Sequence, residues 1–162
     1  MKERKDRSEI YIFTERFTVG EIITAMVVKL IDIPGDASYY VLETGQKNRL
    51  LLPTEPYRHF GISIGQILSC SIDKINCSGR IFIEPLHPGF VSGQTYSFKV
   101  LNSFEVYDRK GRIHRHYQLQ PISGEVYEAR LDRSLVFRNG SIIKCKFERT
   151  RKGRLELCDC TA

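Results

Sequence analysis

Basic and aromatic side chains are concentrated in one stretch of the sequence, Arg109 to Tyr117, which reads RKGRIHRHY. Guanidinium groups bind phosphates in a two-pronged geometry, and tyrosine or histidine rings stack on unpaired bases. If the stretch enters a strand, His116 and Tyr117 face opposite sides and each offers a ring. The alternative is a solvated hairpin tip. The predicted nucleic-acid-binding residues of this stretch are Arg112, Arg115, His116 and Tyr117.

A second basic cluster lies near the C-terminus, where Glu148 to Arg154 reads ERTRKGR. It follows a run in which apolar and polar residues alternate, and Gly153 marks a turn into another short apolar run. Cations spaced along a strand and its turn are typical of a surface that follows a phosphate backbone. The predicted binding residues of this cluster and of the strand before it are Lys144, Lys146, Arg149, Arg151, Lys152 and Arg154.

The remaining residues offer little for other chemistry. The sequence contains no G-x-S-x-G, P-loop or H-E-x-x-H pattern, so we predict that the protein is not an enzyme. One residue separates His114 from His116 and Cys158 from Cys160, whereas a zinc site is marked by Cys-x-x-Cys or by a second spaced pair. We therefore predict no metal and no other cofactor.

Positive charge is distributed unevenly along the chain. Lysine and arginine exceed aspartate and glutamate by 6 over the 162 residues. Residues 1–88 contain 11 basic and 11 acidic residues, whereas residues 89–162 contain 14 basic and 8 acidic residues. This asymmetry favours a polyanionic partner, most often nucleic acid, for the second part. The alternative is a soluble basic surface that has no partner.

Two parts of the sequence resemble each other in order and spacing. Gly93–Val100 matches Gly20–Val27 at an offset of 73 residues, and Gly140–Phe147 matches Gly65–Ile72 at an offset of 75. Changes in loop length produce small drifts of this kind. We therefore predict a tandem duplication whose boundary lies in the proline- and glycine-containing stretch Pro88–Gly93.

Each copy is predicted to consist of short strands. Runs of β-branched and aromatic residues alternate with polar positions and end at Gly, Asn or Ser, and no helical period is sustained. Short strands leave unpaired edges unless the sheet closes, so the predicted fold is all-β, with two tandem five-stranded OB-fold (Greek-key) barrels. The alternatives are a pair of SH3-like barrels or one larger β-sandwich. The predicted divisions are an N-terminal extension at 1–19, a first barrel at 20–88 and a second, basic barrel at 89–162.

The first copy also resembles a known family. Gly65 to Ile83, GQILSCSIDKINCSGRIFI, resembles the closing strands of the S-one type RNA-binding repeat of ribosomal small-subunit protein one. Gly20 to Val28 resembles the opening strand of that repeat, and Tyr39 to Thr54 contains two segments that resemble its middle strands. The resemblance implies an OB fold and RNA binding. It also implies RNA-facing residues at Tyr40 in the first copy and Tyr117 in the second.

Basic and aromatic residues of the first copy form a further candidate surface. Arg49 follows a turn-like segment, and Arg58 and His59 lie between two aromatic residues in Tyr57–Phe60. Arg49 is predicted to contact nucleic acid, and Arg58 with His59 could stack on a base because two aromatic residues flank them. Aromatic residues such as those of Tyr57–Phe60 more often fill the bottom of a small barrel, which is the interpretation we favour for that segment.

Together these patterns predict a cytoplasmic protein that binds RNA or single-stranded DNA with little sequence preference. No apolar run approaches the roughly 20 residues that cross a bilayer, so no membrane association is predicted. The charged N-terminus precedes no signal-like apolar stretch. The 5 cysteines lack paired spacing, which favours free thiols, with Cys70 and Cys145 as core residues. The alternative function is a protein-interaction module that holds an assembly together through barrel edges or loops.

Overall fold

The computed structural model describes residues 16–122, 124–131 and 134–162. These residues form an all-β protein in which turns and one 3₁₀ helix connect the strands. The chain divides into two compact units, the first ending at Leu86 and the second beginning at His87. Residues 1–15 of the predicted N-terminal extension, 1–19, lie outside the described residues.

The first unit contains a five-stranded antiparallel sheet with the strand order β3-β2-β1-β4-β5. Its strands are β1 (Ile22–Asp32), β2 (Ser38–Thr44), β3 (Arg49–Pro53), β4 (Ile67–Ile75) and β5 (Ile81–Pro85). The 3₁₀ helix, Glu55–Phe60, follows β3. The sheet is open, so the predicted closure into a barrel is not confirmed for this unit. Both edge strands end in proline, which cannot donate a hydrogen bond to a ladder.

The core of the first unit lies on one face of this sheet. Cys70 and Ile72 are buried at alternate positions of β4, as the sequence pattern predicts. Tyr57 and Phe60 of the 3₁₀ helix lie in the same core, with ring centroids 5.4 Å apart. The predicted burial of these aromatic residues is therefore confirmed, whereas the barrel that they were predicted to fill is not. The Tyr57 hydroxyl donates a hydrogen bond to the buried Glu84 carboxylate (2.5 Å), and burial together with that charge raises the pKa of Tyr57.

The second unit is a closed five-stranded barrel with the strand order β10-β8-β7-β6-β9. Its strands are β6 (Thr95–Tyr107), β7 (Ile113–Pro121), β8 (Tyr127–Arg130), β9 (Ile142–Arg151) and β10 (Arg154–Thr161). β8 and β10 pair in parallel, whereas the other ladders are antiparallel. Closure leaves no free sheet edge, and the apolar side chains of all five strands meet inside.

The β1–β4 ladder of the first unit and the β6–β9 ladder of the second have the same register. β1 pairs with β4 through 5 residue pairs, and β6 pairs with β9 through 5 pairs that lie 73 and 75 residues further along. The N–H of Gly20 donates to the Ile72 carbonyl over 2.8 Å, and the N–H of Gly93 donates to the Phe147 carbonyl over the same distance. Each residue on the outer face of β1 and β4 therefore has a defined counterpart on β6 and β9.

A disulfide joins Cys145 of β9 to Cys160 of β10, so the prediction of free thiols is wrong for these two residues. Strand alternation places every second residue on one face, but the β9–β10 ladder shifts register between Cys158 and Thr161. Asp159 adopts a positive φ of 47° there, and Cys160 turns inward beside Cys145. The cysteine pattern thus gives no support for the predicted cytoplasmic location. The other cysteines are free: Cys70, Cys77 and Cys158.

An aromatic cluster at the start of the second unit is held together by His87. The Nδ1 atom of His87 accepts hydrogen bonds from the N–H groups of Gly89 (2.9 Å) and Phe90 (3.0 Å). Its Nε2 atom lies 3.1 Å from the Tyr127 hydroxyl. An Nδ1 atom that accepts carries no proton, so the ring is neutral in the folded protein. Burial lowers the pKa of His87 to about 4.

This histidine is expected to make the protein less stable in acid. As pH falls from about 6.5 to about 4, the unfolded chain binds a proton that the folded imidazole does not, which costs about 1 to 2 kcal/mol for a half-exposed ring. Urea unfolding at both ends of this range measures the loss. His87→Asn keeps an acceptor near the Nδ1 position but does not titrate, so its pH dependence should be weaker. An unchanged pH dependence in that variant would contradict this role.

Candidate nucleic-acid interface

The β6–β7 turn, residues 108–112, holds the first basic cluster in a fixed conformation. Asp108 Oδ1 accepts hydrogen bonds from the N–H groups of Lys110 (2.8 Å) and Arg112 (2.9 Å). Asp108 Oδ2 lies 3.1 Å from both Arg112 Nε and His114 Nε2. The hydrogen bond from His114, followed by those from the turn, holds the pKa of Asp108 well below its usual range. The carboxylate therefore remains charged and orders the turn.

Exposed cations and an exposed ring occupy the tip of this turn. Arg109 and Lys110 are exposed, and neither forms an ion pair with any described residue. Tyr107, the last residue of β6, is 67% exposed beside them. Tyr107 is not among the residues predicted from the sequence, although its position directly before the run DRKGR was a usable signal. The tip combines a stacking surface with two uncompensated positive charges.

The two rings predicted to stack on bases in the second copy are buried, so those predictions are wrong. Tyr117 is 1% exposed within the barrel core, and its hydroxyl donates to the Leu135 carbonyl (3.2 Å). His116 points outward but is 3% exposed, because Glu128 Oε1 lies 2.5 Å from its Nδ1 and the ring of Phe104 lies beside it. Neither ring has a free face for a base.

Ion pairs and hydrogen bonds cross the outer face of β7, β8 and β10. Arg130 Nη2 on β8 donates to Nδ1 of His114 on β7 over 2.8 Å. His114 accepts at Nδ1 and therefore donates from Nε2 to Asp108. Arg154 on β10 lies 3.7 Å from Glu128 on β8. These contacts connect the three strands across their outer surface and fix the side chains between the two basic turns.

The two basic turns lie at opposite ends of this face. β7 runs antiparallel to β8, so the β6–β7 turn extends beyond Arg130, the last residue of β8. β10 runs parallel to β8, so the β9–β10 turn at Lys152 and Gly153 extends beyond Tyr127, the first residue of β8. A ligand that crosses β7 and β8 from end to end would meet both clusters.

The second cluster is partly neutralised by carboxylates of its own barrel. Arg149 Nε lies 2.6 Å from Glu156 Oε2, and Arg151 lies 3.9 Å from the same carboxylate. Arg154 pairs with the Glu128 carboxylate on β8, which also lies next to His116. Two carboxylates thus serve three guanidinium groups, and Lys152 adds a charge at the turn. Exposed pairs of this kind contribute little to stability, so phosphates can replace the carboxylates at low cost.

The structure distributes the other predicted residues over different surfaces. Arg115 pairs with Glu105 across β6 and β7 at 3.8 Å. Lys144 and Lys146 lie on the outer side of β9, beyond the crossed face of β7 and β8.

Two predicted residues belong to the first unit. Tyr40 is half-buried against the core of that unit, which leaves only part of its ring accessible. Arg49 is paired with Glu43 at 3.2 Å across β2 and β3. The structure therefore assigns both residues contacts within their own sheet.

The described residues contain neither a metal-binding cluster nor a membrane-spanning helix. Within residues 16–122, 124–131 and 134–162, no group of three or more His, Cys, Asp or Glu side chains is arranged to hold a metal ion. No helix in these ranges has the length and apolar character needed to cross a bilayer.

Comparison with known proteins gives little further information. No protein-family model matches the sequence, and no curated protein matches it. A solved structure described as "Structural mimicry for functional antagonism" is similar over 88% of this chain and 92% of its own, at 10% identity and a TM-score of 0.30. Similarity at that level carries no argument about fold or function. The class of the protein is therefore defined by its own geometry, an all-β chain with a basic closed barrel.

Proposed function

We propose that this protein binds single-stranded nucleic acid, RNA or DNA, on the outer face of the second unit between its two basic turns. One observation carries the proposal: both basic clusters lie at opposite ends of the same β7–β8 face. OB-fold barrels bind oligonucleotides on the face of their second and third strands, between the loop after strand one and the loop after strand four. β7, β8 and the two basic turns are those elements in this barrel.

The mechanism combines phosphate neutralisation with stacking. Arg109 and Lys110 would bind phosphates at one end of the face, and the arginines around Lys152 would bind them at the other end. Tyr107 would stack on a base at the first turn, which replaces the stacking role predicted for the buried rings. Phosphate and stacking contacts carry little base information, so sequence preference is weak. No step requires a metal, a cofactor or a chemical reaction.

Both units are proposed to be OB folds that arose by duplication. The support is the shared strand order and the hydrogen-bond register that recurs 73 to 75 residues later. The first unit differs in that its edge strands, β3 and β5, do not close the sheet by hydrogen bonding.

A second candidate function, a protein-interaction module, is favoured by the first unit. On the outer face of β1 and β4, Ile22 is 57%, Met26 43% and Ile67 61% exposed. Exposed apolar side chains grouped on one face are typical of protein interfaces. A complex formed through that face should be insensitive to salt, in contrast to nucleic-acid binding.

Fluorescence anisotropy with a labelled single-stranded RNA of about 16 nucleotides tests the proposal. Contacts to about five phosphates on the β7–β8 face contribute about −3.5 to the log-log salt slope, so affinity should fall by at least roughly 100-fold between about 50 and 200 mM salt. The corresponding duplex should bind more weakly, because its paired bases are not available to Tyr107. Absence of binding at the lower salt concentration, or affinity that does not change with salt, would overturn the proposal.

A further inference from the structure

A second group of cations lies on another side of the barrel, on the outer face where β6 pairs with β9. In the closed strand order, one strand on each side separates this pair from β8. Lys144 stands opposite Ser97, and Lys99 stands opposite Ile142. The lysine face, as it is called here, consists of Lys99, Lys144 and Lys146 together with Arg138, which lies in the turn before β9.

The charge of the lysine face is largely uncompensated. Lys146 lies 3.9 Å from Asp159, and both side chains are exposed, so the pair is weak. Lys99, Arg138 and Lys144 form no ion pair within 4.0 Å in the described part of the chain. In this respect the face differs from the β9–β10 turn, where the arginines already have carboxylate partners.

The first unit shows that the fold does not require these cations. The ladder of β1 and β4 places Met26, Ser69 and Ser71 where β6 and β9 have the three lysines. Ser63 corresponds to Arg138, because each carbonyl accepts the N–H of the residue three positions later, at Gln66 and Ser141. The corresponding face of the first unit therefore has the same backbone register and no charge. The cations are therefore a property of the second unit's own surface.

We propose that the lysine face is a second phosphate-binding surface, which takes the backbone of the same single strand after it leaves the β9–β10 turn. The inference rests on the proposed function and extends the site from one face to two. β9 connects them, because Lys144 and Lys146 project from the same outer side of this strand as Arg149 and Arg151. The outward neighbours Thr95 and Ser97 supply no ring for stacking. Contacts here are to phosphates alone and are independent of sequence.

The proposal predicts a dependence on strand length. A strand of about 5 nucleotides would occupy only the β7–β8 face, whereas one of about 16 would also reach the lysine face. The test variant combines Lys99→Met, Arg138→Ser, Lys144→Ser and Lys146→Ser, which places the residues of the first unit at the same register positions. For the longer strand, the salt slope should become shallower by about 2 to 3. Affinity for the shorter strand should not change.

A charge-matched control separates this effect from a general loss of positive charge. The control variant replaces four exposed cations of the first unit with serine: Arg16, Lys29, Arg58 and Lys74. It should bind both strands as the unmodified protein does. If the test variant fails to fold by circular dichroism, Lys99→Gln with Lys144→Gln provides a milder version, with a slope change of about 1.4.

The outcomes separate the two proposals. If the unmodified protein binds both strands and the test variant keeps the full salt slope with the longer strand, the lysine face is not a binding surface and the proposed function still stands. If the unmodified protein binds neither strand at low salt, the proposed function fails and this inference fails with it. Equal losses in the test and control variants would also overturn the inference, since they would show that only net charge matters.

Discussion

Replacing Arg109 and Lys110 with glutamate is expected to weaken binding of single-stranded RNA about 100-fold at 50 mM salt. Both side chains are exposed at the tip of the β6–β7 turn and have no carboxylate partner among the described residues. The substitution removes two phosphate contacts and adds two repulsive charges. Asp108 orders the turn through the N–H groups of Lys110 and Arg112, which any residue at those positions supplies. The turn should therefore keep its conformation.

The matched control for this double reversal is Lys29→Glu with Lys74→Glu. Both lysines are exposed in the first unit, and the change in net charge is the same. Anisotropy titrations of both variants against the unmodified protein measure the effect, with thermal unfolding curves to show that each is folded. A similar loss in both would mean that long-range charge and not the turn determines affinity. An unchanged affinity in the Arg109/Lys110 variant would remove this turn from the interface.

Local sequence patterns predicted those parts of the fold that depend on neighbouring residues. Alternation in Ile67–Ile75 identified the buried side of β4, and glycine and asparagine marked the turn that follows it. The parallel pairing of β8 with β10 joins segments that are distant in sequence, and no local pattern indicates it. The disulfide between Cys145 and Cys160 was missed for a related reason. It depends on an irregularity in β10, and alternation assumes a regular strand.

The ion pairs of the candidate site were also not predictable from local sequence patterns. The sequence indicates where the cations are, but it does not show which carboxylates lie next to them. Glu128 reaches Arg154 from another strand, and Glu156 lies on the strand paired with Arg149. Several predicted binding residues are therefore already paired. Cations of the second unit that form no ion pair in the described chain include Lys144, which was predicted, and Arg109, Lys110, Lys99 and Arg138, which were not.

Tyr117 illustrates why face assignments need the fold. Alternation correctly separates His116 from Tyr117, but it does not say which of the two sides is the interior. The six cationic or histidine residues between Arg109 and His116 suggested a strand that is exposed on both sides. The barrel places Tyr117 opposite Ala129 inside the core, where the ring contacts Phe137 and other apolar residues. Its contribution should therefore be to stability and not to binding.

Tyr117→Ala is expected to lower the free energy of unfolding by about 3 to 5 kcal/mol, because it leaves a cavity at a fully buried ring. Tyr117→Phe should lower it by only about 1 to 2 kcal/mol, since it keeps the packing and removes two hydrogen bonds, one donated to the Leu135 carbonyl and one accepted from the Phe137 N–H. Urea unfolding of the three proteins measures both changes. The loss expected for Tyr117→Ala is a large share of the free energy of unfolding of an ordinary domain, which is roughly 5 to 15 kcal/mol.

The same pair of variants separates a core role from a stacking role. A ring that stacks on a base contributes about 1 to 3 kcal/mol to binding, and phenylalanine stacks nearly as well as tyrosine. A stacking residue would thus lose RNA affinity in the alanine variant even where that variant is folded. A core residue would lose stability, while the folded fraction binds with unchanged affinity. The buried position of this ring would be contradicted if the Tyr117→Ala variant is folded and binds RNA at least tenfold more weakly than the unmodified protein.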